Sequence, residues 1–87
     1  MPKVVFTHAV NDPAFWLSKH SERVAMFASW GTIDAEYSSP DGGKTVAIAL
    51  DVHDTAAMQT ALGSAEVAAA KQAHGVIDPV TMLVEKS

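Results

Sequence analysis

A short phrase occurs twice in this chain: Val10-Asn11-Asp12-Pro13-Ala14, and then Val52-His53-Asp54-Thr55-Ala56, 42 residues on. Each copy follows a run of alternating apolar residues and precedes a helical pattern. In both, an Asp stands where a helix N-cap belongs, its carboxylate placed to accept from the free N–H groups of the first turn. The chain therefore reads as two strand–helix–strand halves joined in the middle, a plan that few folds satisfy.

Periodicity supplies the elements. Lys3 to Val10 sets Val4, Phe6, His8 and Val10 on one face of a strand and Val5, Thr7 and Ala9 on the other. Pro13 suits the first position of a helix, where its missing N–H costs nothing. Trp16, His20, Arg23 (or Val24) and Phe27 recur at three- and four-residue spacing, which predicts one stripe on a helix reaching about Trp30 and ending at Gly31. Thr32 to Ser38 reads as a second strand, with Ile33, Ala35 and Tyr37 opposed to Asp34 and Glu36. Ser39-Pro40-Asp41-Gly42-Gly43 is a turn, short enough to make strands two and three a hairpin. Lys44 to His53 is the third strand, with Val46, Ile48, Leu50 and Val52 facing one way and Ala47, Ala49, Asp51 and His53 the other. Asp54 starts a second helix that bends at Gly63-Ser64, where Ser64 caps a second piece ending near His74-Gly75. Asp78-Pro79 predicts a turn, and Val80 to Lys86 a fourth strand.

The order βαββαβ is that of an α+β, ferredoxin-like sandwich: a four-stranded antiparallel sheet with two helices on one face. Residues 1–87 make one such domain. Strands one and three leave Val5, Thr7, Ala9, Ala47 and Ala49 on the other face. These are small and mostly apolar, and a second copy related by two-fold symmetry is the simplest cover. A homodimer through the sheet face is therefore expected.

Composition excludes several classes. Six Lys and Arg stand against ten Asp and Glu, and the basic residues Lys3, Lys19, Arg23, Lys44, Lys71 and Lys86 form no stripe, so nucleic acid is not an expected partner. There is no Cys, hence no disulfide and no thiolate metal site, in keeping with a cytoplasmic location. No signal peptide is legible, and no apolar run approaches the roughly 20 residues that span a bilayer, so no membrane association is expected. The four His lack a metal-ligand spacing. No Gly-rich phosphate loop follows a strand, and no G-x-S-x-G elbow is present. No metal or cofactor is expected.

The residues His8-Ala9-Val10-Asn11-Asp12, Trp16, His20, Arg23 and Gly31, followed by Val52-His53-Asp54, Ser64-Ala65-Glu66 and Gly75-Val76, carry a likeness over nearly the whole chain. On them the sequence resembles the dimeric α+β barrel superfamily, which includes antibiotic-biosynthesis monooxygenases, muconolactone isomerase and small polyketide cyclases. It is most similar to short bacterial, cyclase-like members. The resemblance implies a two-fold dimeric α+β barrel with a pocket in each protomer, between sheet and helices, lined by the face bearing Val4, Phe6 and His8. The sequence departs from plant polyketide cyclases: their Tyr/His pair would fall around Ala61 to Val67, where neither residue stands.

Several residues could carry chemistry. His8, in the middle of an apolar strand face, must find a hydrogen-bond partner, and its imidazole titrates near neutrality, as a general acid or base does. Trp16 and His20, one turn apart, could stack on a planar ligand and hydrogen-bond it; the plainer reading places Trp16 in the core. Arg23 could bind a carboxylate or enolate or pair with Glu36 or Asp34. Tyr37 could donate to a ligand or pack at a dimer edge. Phe6, Met58 and Leu62 would shape the pocket. His53 and His74 lie at element ends and read as structural, with His74 at a helix C-terminus that favours an imidazolium. The expected function is a cofactor-independent cyclase-, isomerase- or monooxygenase-like enzyme acting on a small apolar or aromatic carbonyl or phenol. His8 would move the proton, and His20 and Arg23 would steady the oxyanion. The alternatives are a dimer that holds a metabolite or haem, with His20 or His74 as axial ligand, and a structural dimer with no pocket.

Overall fold

The computed structural model describes residues 2–86. Eight elements follow one another: β1 (Lys3–Val10), α1 (Pro13–Ser18), α2 (His20–Phe27), β2 (Gly31–Ser38), β3 (Thr45–Val52), α3 (Thr55–Leu62), α4 (Ala65–Ala73) and β4 (Val76–Val84). The strands form one antiparallel sheet in the order β2-β3-β1-β4. This is the ferredoxin-like plan expected from the repeat, with each helical half broken into two short helices.

Both repeated Asp residues cap as the spacing requires. Asp12 Oδ1 accepts from the Ala14 and Phe15 N–H groups at 3.1 and 3.3 Å, and Asp54 Oδ1 accepts from Ala57 N at 3.0 Å. Ser64 restarts the second helical half: its Oγ accepts from Val67 N at 3.2 Å. Gly75 follows α4 with φ +74°, the left-handed conformation that closes a helix and that side chains resist.

The first helical half is not the single helix expected. It breaks at Lys19, whose N–H bonds back to Trp16 O at 3.1 Å while the Ser18 hydroxyl donates to Phe15 O at 2.5 Å. A side-chain hydroxyl that competes for a helix carbonyl in this way favours such a break. The helix also ends at Phe27, and Gly31 opens β2 instead of capping a helix. A Cβ at Gly31 would come to 3.3 Å from the Asp51 carbonyl oxygen, a tight contact that the strand pairing avoids with a glycine.

Two irregularities re-aim side chains. On β2, pairing passes from Ile33–Leu50 to Ala35–Ala49, so Asp34 is one residue extra. Because side chains alternate, this flips the rest of the strand. Ile33 and Glu36 (opposite Leu50 and Ile48) face the helices, and Ala35 and Tyr37 face the open side. The simple alternation expected for β2 is corrected accordingly. On β4, pairing with β1 passes from Thr7–Thr81 to Ala9–Ile77. Asp78, Pro79 and Val80 thus oppose His8 alone. The strand begins at Val76, and Asp78-Pro79, expected as a turn before it, is a bulge within it.

β1 itself pairs with β3 without interruption from Lys3–Asp51 to Ala9–Thr45, which keeps His8 on the same face as Phe6. That face packs under the helices. The core joins Val4, Phe6, Val10, Val46, Ile48, Leu50 and Val52 to Trp16, Phe27, Trp30 and Met58. The other face carries half-buried Val5, Thr7, Ala9, Ala47 and Ala49, flanked by exposed Tyr37 and Leu83. Among the described residues no helix is long and apolar enough to cross a membrane.

Removing either cap carboxylate, by Asp12→Ala or Asp54→Ala, should cost about 1 kcal/mol. Leu50→Ala at a fully buried site should cost roughly 2–5 kcal/mol. Urea denaturation of the three variants measures this ranking.

Candidate functional site

The inward face of β1, the two helical halves and β4 enclose a cavity of about 70 Å³. Phe6, His8 and Ile48 form its sheet side, Trp16, Arg23, Met26 and Phe27 come from α1 and α2, and Leu62, Val67, Lys71 and His74 come from the second helical half. The wall is almost entirely apolar. The volume exceeds what one water needs and falls below the roughly 300–1,000 Å³ of drug-sized ligand sites. Leu62 and Lys71 are partly exposed and mark the open side.

His8 is 8% exposed. Its Nδ1 lies 3.1 Å from the Ala9 carbonyl oxygen, which can only accept, so Nδ1 carries the proton and Nε2 presents a lone pair. Its ring meets Trp16 edge-on, centroids 5.8 Å apart. Burial lowers its pKa below the ordinary 6.5, the Ala9 hydrogen bond opposes this, and the charges of Arg23 and Lys71 add to the lowering. At neutral pH His8 is therefore an uncharged base in an apolar cavity.

Arg23 is buried at the centre of a polar cluster. Its Nε and Nη2 donate to the two oxygens of Glu36 at 2.5 and 2.8 Å, and Nη1 donates to His74 Nδ1 at 3.3 Å. The guanidinium carbon sits 3.9 Å from the Trp16 ring centroid, a stacking contact worth about 0.5–2 kcal/mol. Burial alone would raise the Glu36 pKa, but Arg23's hydrogen bonds and charge, aided by His20, outweigh it and hold the carboxyl below the ordinary 4.5. Because Arg23 only donates, His74 Nδ1 accepts and its proton is on Nε2, 3.8 Å from Glu22 Oε1. Burial and then Arg23's charge lower the His74 pKa, against the pull of Glu22. The imidazolium expected from the helix terminus is thus displaced by a neutral ring: desolvation and a neighbouring cation prevail over the dipole.

The structure brings His8, Arg23, Phe6, Trp16 and Leu62 together on one cavity wall. It separates three other candidates from them. His20 is about half exposed and reaches the cluster only through Glu36, its Nδ1 2.9 Å from Oε1. Tyr37 lies on the open sheet face, turned there by the bulge at Asp34. Met58 is core, packed away from the cavity. Arg23's carboxylate partner is Glu36; Asp34 pairs instead with Lys3 at 2.9 Å. His53 is exposed, as its place in a turn suggested.

Sequence reasoning named Glu36 only as one of two possible partners for Arg23, read His74 as structural or as a haem ligand, and passed over Lys71. For the last two a signal existed: Val67, Ala70, Lys71 and His74 recur at helical spacing and share one face of α4. Nothing local chose Glu36 over Asp34, since a bulge leaves no mark in an alternating strand.

No family model and no curated protein matches the sequence. Solved structures do match its fold. A NIPSNAP domain protein from Burkholderia xenovorans superposes with a TM-score of 0.69 at 10% identity, over 100% of this chain and 94% of the other. An antibiotic biosynthesis monooxygenase gives 0.67 at 14% identity, over 100% and 98%. SnoaB, a cofactor-independent oxygenase from Streptomyces nogalater, gives 0.63 at 19% identity, over 99% and 91%. The chain shares the ferredoxin-like α+β fold of these structures. The likeness spans each of these chains almost end to end and resides in the backbone, which agrees with the resemblance first read from His8 to Asp12 and its companions.

The cluster makes stability pH-dependent. Above pH 6.5 buried His8 and His74 are neutral in both folded and unfolded chains. Below it the unfolded chain takes up protons that the folded chain refuses, because both folded-state pKa values are lowered. Stability should fall as pH drops from 6.5, and fall again below 4.5, where the unfolded chain's Glu36 takes up a proton that the folded Arg23–Glu36 pair resists. His74→Gln should flatten the first decline in thermal melts. Glu36→Gln should cost roughly 3–5 kcal/mol at neutral pH by leaving a buried guanidinium unpaired.

Proposed function

We propose that this protein is a cofactor-independent, monooxygenase-like enzyme acting on a small aromatic substrate that carries a phenolic hydroxyl. His8 carries this reading: an uncharged imidazole, its Nδ1 anchored to the backbone, presents Nε2 to an apolar cavity. In such surroundings a general base meets its substrate without competition from water. The fold of SnoaB, described as a cofactor-independent oxygenase, supports the same direction.

His8 Nε2 takes the hydroxyl proton. The resulting phenolate is electron-rich at the ring carbons and reacts directly with O₂. One oxygen atom bonds to a ring carbon, whose C–H bond breaks; the O–O bond breaks, the other oxygen leaves as water with that hydrogen and one proton equivalent to the hydroxyl's, and the product is a quinone. Trp16 and Phe6 supply flat apolar surface against which a ring can lie. A ring needs more room than 70 Å³; a dry cavity of about 150 Å³ holds benzene. Substrate entry therefore parts Leu62 and Lys71 at the open side.

The haem alternative finds less support. His74 Nδ1 is held by Arg23, His20 lies outside the cavity, and the space is far smaller than a porphyrin. The working unit in this proposal is a homodimer closed through the open sheet face, because Val5, Thr7, Ala9, Ala47 and Ala49 form a close-packing surface that one protomer leaves uncovered.

Oxygen consumption over a panel of hydroxylated aromatics tests the activity. His8→Ala should reduce turnover about 10²- to 10⁴-fold with the far-UV circular dichroism unchanged. Undiminished turnover in that variant would remove His8 from the mechanism. Ala49→Glu should shift sedimentation from dimer to monomer; a native chain that sediments as a monomer would end the barrel proposal.

A further inference from the structure

Two cations line the cavity, Arg23 and Lys71, and they differ in freedom. The Arg23 guanidinium is fixed by Glu36 through two N–H groups, by His74 through a third and by Trp16 beneath its plane. Turning it toward a ligand would leave Glu36 buried and alone, a costly state. Arg23's charge still reaches His8, but its N–H donors are committed to Glu36 and His74 and are not free to turn to a ligand.

Lys71 is held far more loosely. Among the described residues its ammonium meets only Asp78 Oδ1, at 2.7 Å, and the two side chains are 37% and 69% exposed. Ion pairs of this kind are worth about 0–1 kcal/mol. Asp78 can return to water, and the flexible lysine stem lets the ammonium turn to another anion. The position is also apt. Asp78 lies in the stretch of β4 that bulges opposite His8, so the Lys71–Asp78 pair stands at the His8 end of the cavity. Lys71 and Asp78 both act on His8 electrostatically, in opposite senses. The other ionisable groups facing this space are His8 from β1, Arg23 from α2 with its Glu36 from β2, and His74 from α4.

Given the cavity as the substrate site, we infer that Lys71 is a catalytic residue that holds the substrate's oxygen anion, exchanging Asp78 for it as the anion forms. The substrate O–H bond breaks, the proton passes to His8 Nε2 and on to solvent, and the electron pair stays on oxygen beside the ammonium. No electron leaves the substrate in this step. The ligand class follows: an apolar body bearing one weakly acidic hydroxyl, uncharged on entry and anionic once in place.

4-Nitrophenol reports this directly, because its anion absorbs visible light and its neutral form does not. Nitrobenzene, of similar shape and without the hydroxyl, is the control. Bound 4-nitrophenol should ionise at a pH roughly one unit below that of the free compound, the effect of one nearby opposite charge. Lys71→Met should abolish that shift, and Lys71→Arg should keep it. Asp78→Asn should deepen it, since the ammonium loses its competitor and a negative charge leaves the mouth. Nitrobenzene should bind all four proteins alike. Equal ionisation midpoints in the wild type and Lys71→Met, or no change in Asp78→Asn, would overturn the role of Lys71 and leave the cavity standing. If neither compound binds, the cavity reading fails and the inference with it.

Discussion

The buried contact between Arg23 and Glu36 joins several elements of this structure at one point. It ties α2 to β2 and, through the third N–H, α2 to the end of α4. Through the stacked Trp16 it reaches α1 as well. A buried ion pair contributes little net stability, because desolvation offsets most of the attraction. Its effect is on arrangement: a guanidinium with three acceptors and an aromatic floor has one satisfactory position. Four short helices, none long enough to be stable alone, are thereby held in one setting over the sheet.

That setting has a chemical consequence. The polar requirements of Arg23, Glu36 and His74 are largely met among themselves, so the space beside them is lined mainly by apolar side chains. Among the described residues no carboxylate hydrogen-bonds His8 in that space, and desolvation keeps it uncharged. A cavity with a neutral base, an arginine committed to Glu36 and a loosely held lysine is asymmetric. In the proposed reading it takes in uncharged molecules and stabilises charge that forms after entry.

How much of this could be read from the residues depends on whether the information is local. The Asp12 and Asp54 caps, the Ser64 restart and the unbroken alternation of Lys3–Val10 and Thr45–Val52 are local, and each was legible. So was the grouping of Phe6, His8, Trp16 and Arg23, which needs only the faces of one strand and one helix. The partner of Arg23 was narrowed to Glu36 or Asp34, but the extra residue at Asp34 decided between them. Ile33-Asp34-Ala35-Glu36-Tyr37 alternates as an unbulged strand would; what favours the bulge is a buried cation elsewhere that needs a carboxylate. Tyr37 was misplaced for the same reason. His74 was discounted on a local argument, the helix dipole, which burial beside Arg23 overrides. Pro79 invited a turn because proline is rare inside strands, and β4, at the sheet's edge, is one of the few places where it is tolerated.

The bulge in β4 matters beyond the cavity mouth. β4 is an outer strand, with Ile77, Met82, Leu83 and Val84 exposed along it. An apolar edge of this kind invites another chain to add as a fifth strand. Pro79 offers no N–H to such a chain, and the extra residues opposite His8 break the even spacing that a straight partner would need. The irregularity that stations Asp78 beside the cavity thus also guards the sheet against unregulated growth from that side.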